Sequence, residues 1–183
     1  MGRPCSFLAE LPAVLFAIFP PSLNGSMPPT LLFDLDHIDL NAVAFDQEAV
    51  RRANPQRGHM EQLNGIIWAD GEGGRILGYK DVRPDEFWVE GHIPGRPLYP
   101  GVLMIECAAQ LASFYCRQFI GWQGFIGFGG VEDAKFRQPV LPGQRILMLA
   151  KKIWHRHRRI CCHNQGLVDG VLVFETAIIG TQM

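Results

Sequence analysis

A histidine and a glutamate stand near each other in one short part of the chain, residues 91–110, which is GHIPGRPLYPGVLMIECAAQ. His92 lies in a turn rich in glycine and proline, where the restricted backbone reduces the entropy lost when the imidazole is held in place. Glu106 lies in the apolar run that follows. Imidazole and carboxyl groups are common general bases and acids, so this pair has the chemistry to take a proton from one substrate atom and give one to another.

The segment around Glu106 predicts a helix that is buried on all sides, since residues 102–116 are apolar on nearly every face. A carboxyl group in such a place costs free energy unless it is paired or protonated, and a general acid needs the protonated form. Gln110 lies one turn further on the same face, where its amide can fix the direction of the carboxyl group. Two plainer interpretations stay open: Glu106 emerges at a surface edge, and His92 is structural.

The start of this helix supplies a third kind of group. The backbone N–H groups of Gly101 and Val102 lie at the positive end of the helix dipole, and a glycine lets a ligand approach closely. Any helix start offers such groups, so this feature alone indicates little. Together, a base, an acid and a site for a developing oxyanion are the set needed to remove a proton beside a carbonyl and expel a β-leaving group.

The elements that must position these groups are a long helix and a sheet. The helix begins at Gly101, runs to near Phe119 and is ended by Gly121. Two short strands flank the turn DGEGG at 70–74, and four more strand-like runs follow the helix, with the strongest hairpin signal at Asp169-Gly170. The sequence therefore predicts an α+β fold, a curved antiparallel sheet of about six strands wrapped around one long central helix.

We expect three parts along the chain: an N-terminal extension (1–26), disordered or loosely packed, a helical lead-in (27–60) and one main domain (61–183). Within the lead-in, Asp46 is placed to cap a short helix. The apolar stretch from Leu11 to Phe19 loosely resembles an export signal, but a proline interrupts it, no small-residue cleavage site follows, and it is too short to span a bilayer. Met27 is an alternative start.

The composition excludes several classes of protein. The 183 residues carry a net charge of −1, with 48% hydrophobic and 19% charged residues, which fits one globular domain and lacks the basic excess of a nucleic-acid binder. The five cysteines form neither a Cys-x-x-Cys pair nor a zinc-ligand array. We therefore expect a cytoplasmic protein without a metal site, a nucleic-acid partner or a membrane span.

The residues that carry this chemistry resemble the signature of the bacterial 3-hydroxyacyl-[acyl-carrier-protein] dehydratases of the FabZ/FabA type. That signature runs Gly-His-Phe-Pro-Gly, then Pro-Gly-Val, an Ile-Glu pair and Ala-Gln, which correspond here to 91–95, 100–102, 105–106 and 109–110. The resemblance continues in the run KFRQPV at 135–140 and covers roughly residues 60–180. It marks 61–183 as a dehydratase domain.

The resemblance implies a hot-dog fold and a lyase that acts on acyl thioesters without a metal or organic cofactor. It also implies a homodimer, often three dimers in a hexamer, with active sites shared between chains. His92 of one chain would abstract the C2 proton of a (3R)-3-hydroxyacyl thioester whose carbonyl oxygen is held by the N–H groups of Gly101 and Val102. Glu106 of the other chain, oriented by Gln110, would protonate the departing hydroxyl, giving a trans-2-enoyl thioester and water.

The chain departs from the family pattern at several places near the predicted pocket. Ile93 stands where Phe is usual, Tyr99 where Met is common and Cys107 where Ala is common, differences that bear on acyl chain length. The family's Pro-His-Arg run appears here as Pro55-Gln56-Arg57, which bears on substrate entry. The acid is Glu, as in the dehydratase-only branch, so isomerase activity is not expected.

A set of cations is a candidate docking surface for an acidic acyl carrier protein, although coenzyme A thioesters are an alternative substrate. The set comprises Lys135, Arg137, Lys151, Lys152, Arg156 and Arg158. Such charges also protect a solvated edge strand from aggregation, and this alternative stays open. Two other functions stay open as well: a hot-dog acyl thioesterase, and a non-catalytic subunit that binds acyl chains or the carrier protein.

Overall fold

The structure, a computed structural model, describes residues 30–183, so the expected extension 1–26 and Met27 lie outside the described residues. Two helices, α1 and α2, and six strands, β1 to β6, make up its main elements. In chain order these are α1 Gln47–Ala53, β1 Gly65–Asp70, β2 Arg75–Asp81, α2 Gly101–Tyr115, β3 Ile126–Phe136, β4 Arg145–Arg156, β5 Arg159–Val168 and β6 Val171–Gln182. A short 3-10 turn at Gly58–Met60 precedes β1.

The strands form one six-stranded antiparallel sheet in the order β1-β2-β4-β5-β6-β3. The turn between β5 and β6 holds Asp169 and Gly170 at φ +49° and +78°, the left-handed conformation that a tight hairpin requires. β3 follows α2 in the chain but pairs only with β6, so it lies at an edge of the sheet. The predicted α+β architecture of six strands and one long helix is confirmed.

Helix α2 packs against the sheet and supplies much of the main core, through residues such as Met104, Leu111 and Phe114. After Tyr115 the chain makes one π turn, Cys116–Ile120, and ends at Gly121 in the left-handed conformation, φ +80°. The prediction that the helix is buried on all sides does not hold within one protomer. Val102 is 71% exposed, and Glu106 on the same stripe is only partly buried.

The other face of the sheet is covered by the lead-in segment. Phe33 and Ile38 are buried there against a second apolar cluster that includes Leu77, Leu149 and Leu167. Because side chains alternate faces along a strand, these leucines point away from α2. Helix α2 therefore covers part of one face of the sheet, and an irregular segment covers part of the other.

Helix α1 begins at its expected cap, where the Asp46 carboxylate accepts a hydrogen bond from the backbone N–H of Ala49 over 2.8 Å. It ends at Ala53, with Asn54 as its C-cap, because the residue before Pro55 is disfavoured in helical conformation. Among the described lead-in residues, 30–60, regular helix is confined to α1 and the 3-10 turn. Between residues 30 and 183, no helix has the length and apolar character needed to cross a membrane.

Candidate active site

Glu106 lies in the second turn of α2 and lines a cavity of about 210 Å³. One of its oxygens, Oε1, accepts two hydrogen bonds, from Nε2 of Gln110 over 2.8 Å and from Nε2 of Gln56 over 3.2 Å. Most of the cavity lining is apolar and comes from the end of α2, from Phe125 just before β3, and from β3, β5 and β6. The strand residues include Ile126, Phe128, Ile160, Ile178 and Ile179. The arrangement places the carboxyl group of Glu106 beside a space that suits a hydrocarbon chain.

The amide of Gln110 is held in one orientation. Its Oε1 accepts hydrogen bonds from the backbone N–H groups of Gln62 and Leu63, over 3.0 and 3.1 Å. Its Nε2 donates to the carbonyl of Met60 over 2.6 Å as well as to Glu106. Reversing the amide would set Nε2 against two backbone N–H groups, so Nε2 must face Glu106. The sequence prediction that Gln110 orients Glu106 therefore has a geometry that suits it.

His92 is exposed, in the turn that follows Trp88. Its backbone N–H donates to the carbonyl of Trp88 over 2.9 Å. It lines a second cavity, of about 470 Å³, together with Gly101 and Val102 at the start of α2. The candidate base and the candidate oxyanion site thus line the same cavity of one protomer.

The turn that carries His92 is anchored by a buried ion pair. Lys80 Nζ lies 2.8 Å from an oxygen of Glu86, and the two side chains are only 5% and 6% exposed. Glu86 also accepts hydrogen bonds from Nε1 of Trp88 and from the backbone N–H of Arg83, over 3.1 and 3.0 Å. Trp88 also accepts the backbone hydrogen bond of His92. The ion pair therefore fixes the start of the turn that carries His92.

Gly101 lies in close contact with Phe136 at the start of α2. A Cβ atom built there would lie 2.7 Å from Cε1 of Phe136, so the half-exposed phenyl ring would have to move. The backbone N–H of Leu103 is the first to bond back to Pro100, over 2.9 Å, which leaves those of Gly101 and Val102 ahead of the helical hydrogen bonds. The glycine thus keeps this helix start accessible.

The two halves of the candidate site do not meet within one protomer. The His92 cavity does not include Glu106, and the Glu106 cavity does not include His92. Between them runs an uncovered apolar surface made of the edge strand β3 and the start of α2, where Phe128, Val131, Phe136 and Val102 are 54%, 41%, 51% and 71% exposed. A second chain seated on this surface would bring further groups to both cavities.

A family model described as a FabA-like domain matches residues 54–177. The chain belongs to the FabA-like family. One curated relative of this FabA-like protein is the 3-hydroxyacyl-[acyl-carrier-protein] dehydratase FabZ of Rhizobium etli, 37% identical over 134 residues, a match that covers 73% of this chain and 86% of the relative. The enzyme of the same name from Brucella abortus strain S19 is 34% identical over 137 residues, covering 74% of this chain and 87% of the relative.

Solved structures confirm the hot-dog fold of this FabA-like protein. The dehydratase heterocomplex ApeI:P from Xenorhabdus doucetiae superposes with a TM-score of 0.63 at 14% identity, covering 73% of this chain and 90% of that chain. The PaaI protein of the phenylacetic acid degradation operon of E. coli superposes with a TM-score of 0.51 at 14% identity, covering 63% and 80%. At such identities the likeness concerns the fold alone.

The cations predicted to form one docking surface are separated by the fold of the FabA-like domain. Lys135 and Arg137 both contact Glu175, at 3.4 and 2.5 Å. Arg156 and Arg158 instead line a cavity of about 910 Å³ at the hairpin between β4 and β5. Lys135 pairs with Glu175 of β6, whereas Arg159, next to Arg158 in the hairpin, pairs with Thr181 of β6. At about 3.4 Å per residue along β6, the two groups of cations are roughly 20 Å apart.

The cations near His92 keep a net positive charge. Glu175 is partly buried, which raises its pKa, but the hydrogen bonds from Arg137 and Lys135 outweigh this and hold the pKa of that carboxyl below its usual value. Two cations therefore share one carboxylate. Arg137 lines the His92 cavity, as does the exposed Arg96.

Lys151 and Lys152 lie mid-strand in β4, and Lys152 Nζ sits 5.9 Å from the centre of the Tyr115 ring.

Three groups of the site were not predicted from the sequence: Gln56 on Glu106, Arg96 beside His92, and the Lys80–Glu86 pair. The one sequence feature that could have indicated a role for Gln56 is its position in the Pro55-Gln56-Arg57 run, where the FabA-like pattern has His. Nothing in the local sequence pairs Lys80 with Glu86, because the ion pair depends on how a loop folds back on β2.

Proposed function

We propose that this FabA-like protein is a 3-hydroxyacyl-[acyl-carrier-protein] dehydratase, a hydro-lyase of fatty-acid synthesis. Its substrate is a (3R)-3-hydroxyacyl thioester and its products are a trans-2-enoyl thioester and water. The observation that carries the proposal is Glu106, held by two amides beside an apolar cavity. The names of the curated relatives point to the same reaction.

In this mechanism the chain's own residues divide the proton transfers. His92 takes the proton from C2, next to the thioester carbonyl, and the N–H groups of Gly101 and Val102 stabilise the negative charge on the carbonyl oxygen. The electron pair then forms the C2–C3 double bond as the C3–O bond breaks. Glu106 gives its proton to the departing hydroxyl, which leaves as water, and Gln110 keeps the carboxyl group aimed.

A homodimer with shared active sites completes this proposal. The pairing of two β3 edges would cover Phe128, Val131 and Val102, and would bring the partner's His92 to the Glu106 cavity. An exposed apolar edge strand is a liability in a lone protomer, which supports a partner at this edge. The trimer of dimers expected from the resemblance stays a prediction.

The carrier protein docks, in this proposal, beside the His92 cavity. Arg96 and Arg137 line that cavity, and Lys135 shares the Glu175 carboxylate with Arg137. Their net positive charge attracts an acidic carrier and raises the rate of encounter. Arg156 and Arg158 lie too far along the sheet to take part in the same contact. We place the reaction in the cytoplasm, where the free thiols of Cys107, Cys116, Cys161 and Cys162 stay reduced.

The test is a direct assay of the purified full chain with 3-hydroxyacyl and enoyl thioesters. Formation of the conjugated enoyl product, followed by its ultraviolet absorbance, is expected with the wild type. His92→Ala and Glu106→Gln should each lower kcat by at least about 100-fold. Release of free thiol without dehydration or hydration would support a thioesterase instead, and binding without either reaction would support a non-catalytic subunit.

A further inference from the structure

The side chain of Gln56 contacts the proposed acid from outside the helix. Its Nε2 lies 3.2 Å from Oε1 of Glu106, and both residues line the same cavity. Gln110 donates to the same oxygen from inside the helix, over 2.8 Å. The carboxyl group is therefore held at one oxygen by two amides that come from different parts of the chain.

The backbone that presents Gln56 is clamped to α2. Arg57 Nη1 donates to the carbonyls of Asn54 and Gln56, over 2.7 and 2.6 Å, and its Nη2 donates to the carbonyl of Arg51 over 2.8 Å. The buried Asn54 donates from Nδ2 to the carbonyl of Gln110 over 2.9 Å. The contact between Gln56 and Glu106 is thus built into the packing of the lead-in on the helix.

This arrangement distinguishes the two oxygens of Glu106. A carboxyl oxygen has two lone pairs, and two amide N–H donors at Oε1 occupy both. In the protonated acid Oε1 must then be the carbonyl oxygen, so the proton sits on Oε2. Once the proton has been given away, the same two donors stabilise the negative charge that remains.

The orientation of the Gln56 amide leaves one of its polar atoms unpaired, which costs stability. Its own Oε1 is buried and has no hydrogen-bond partner among residues 30–183. A buried amide oxygen without a partner is destabilising, and an apolar side chain in the same space would avoid that loss. Stability alone therefore does not favour glutamine at this position, whereas the contact with Glu106 gives it a use.

We propose that Gln56 is a positioning residue that acts with Gln110 to make Oε2 of Glu106 the oxygen that delivers the proton. This inference rests on the proposed dehydratase function. In the step concerned, the C2 proton goes to His92 and its electron pair becomes the C2–C3 double bond. The C3–O bond breaks, the Oε2 proton joins the leaving hydroxyl to make water, and the carboxylate left behind is held by the two amides.

The inference is tested with Gln56→Leu, Gln56→His and the matched control Gln118→Leu, which removes an exposed glutamine on the π turn. Each full-length variant is measured for kcat, KM and the urea midpoint of unfolding. We expect Gln56→Leu to lower kcat by about 10- to 100-fold with KM within about threefold of the wild type and an unchanged or higher midpoint. Gln56→His restores an N–H donor and should recover most of the kcat.

Two results would overturn the inference alone, in a wild-type protein that dehydrates its substrate. One is a Gln56→Leu variant with wild-type kcat. The other is a kcat that falls together with the urea midpoint and is not recovered by Gln56→His, which would indicate a structural role. A wild-type protein without dehydratase activity would overturn the proposed function first, and the inference with it.

Discussion

Gln110 donates a hydrogen bond to Glu106 across one turn of α2, and the direction of that bond is set by the segment just before β1. The Gln110 Oε1 accepts from the backbone N–H groups of Gln62 and Leu63, so its Nε2 lies 2.8 Å from Oε1 of Glu106. The acid is thus oriented by a residue that also joins the helix to the start of β1. If Glu106 is the acid, as proposed, catalysis and stability both depend on this one buried amide.

Gln110→Met tests that coupling. The variant removes the acceptor for two buried backbone N–H groups, and each unpaired group costs about 1–3 kcal/mol, so the free energy of unfolding should fall by about 2–6 kcal/mol. Urea denaturation measures it, with Gln118→Met as the exposed control. A loss below about 1 kcal/mol would mean that these N–H groups find other partners.

The buried pair Lys80–Glu86 should support both the fold and the turn of His92. Lys80→Met leaves the Glu86 carboxylate buried without its cation, which should cost about 3–5 kcal/mol of the free energy of unfolding and lower kcat. The double variant Lys80→Met/Glu86→Gln removes both charges and should lose less than Lys80→Met alone. If the double variant loses the sum of the two single losses, the charges do not interact as described.

The ion pair of Glu61 with Arg51 should make the free energy of unfolding fall as the solution becomes acidic. Its pKa lies below the usual value because Arg51 hydrogen-bonds the carboxylate through Nε, over 2.6 Å. A carboxyl group whose pKa is lower in the folded protein contributes stability above its unfolded pKa of about 4.3 and loses it as the pH falls through the folded pKa. The stability difference between wild type and Glu61→Gln should be constant above about pH 6 and shrink below about pH 4.5.

Urea unfolding at several pH values measures this difference. The wild type should be the more stable protein near neutral pH, and the two proteins should converge as the solution becomes acidic. A difference that is the same at pH values on both sides of the unfolded pKa would contradict the assignment of the ion pair to the folded state.

Carrier docking beside His92 predicts an effect on KM for one kind of substrate. The double variant Arg96→Glu/Lys135→Glu should raise KM for the carrier-bound thioester by about tenfold at low salt, and much less at high salt, because the charges act mainly on encounter. The coenzyme A thioester of the same acyl chain should show little change. Arg156→Glu is the comparison, and a larger effect there would place docking at the β4–β5 hairpin.

The sequence predicted the elements that depend on local signals. The Asp46 cap, the Asp169-Gly170 turn and the end of the helical segment at Gly121, after the π turn, follow from residue types at fixed positions, and all are confirmed. Phe33 could not be placed in the same way, because its segment has no helical or strand period and its burial depends on the outer face of the sheet. The contact of Gln56 with Glu106 spans 50 positions, beyond the reach of any spacing rule.

The separation of His92 and Glu106 into two cavities is the feature on which the proposed mechanism depends most. If each active site takes its histidine from one chain and its glutamate from the other, two inactive variants can repair each other. A mixed dimer of His92→Ala and Glu106→Gln chains contains one site with both defects and one site with neither.

The decisive measurement is the dehydratase activity of His92→Ala and Glu106→Gln proteins after they are unfolded together, refolded and purified as dimers. Equal amounts should give mixed dimers in about half of the molecules with one working site in each, so activity should return to about a quarter of the wild-type value. Each variant refolded alone is the control and should stay inactive. A refolded mixture that contains mixed dimers and remains as inactive as the separate variants would show that His92 and Glu106 act within one chain, and would contradict the shared site.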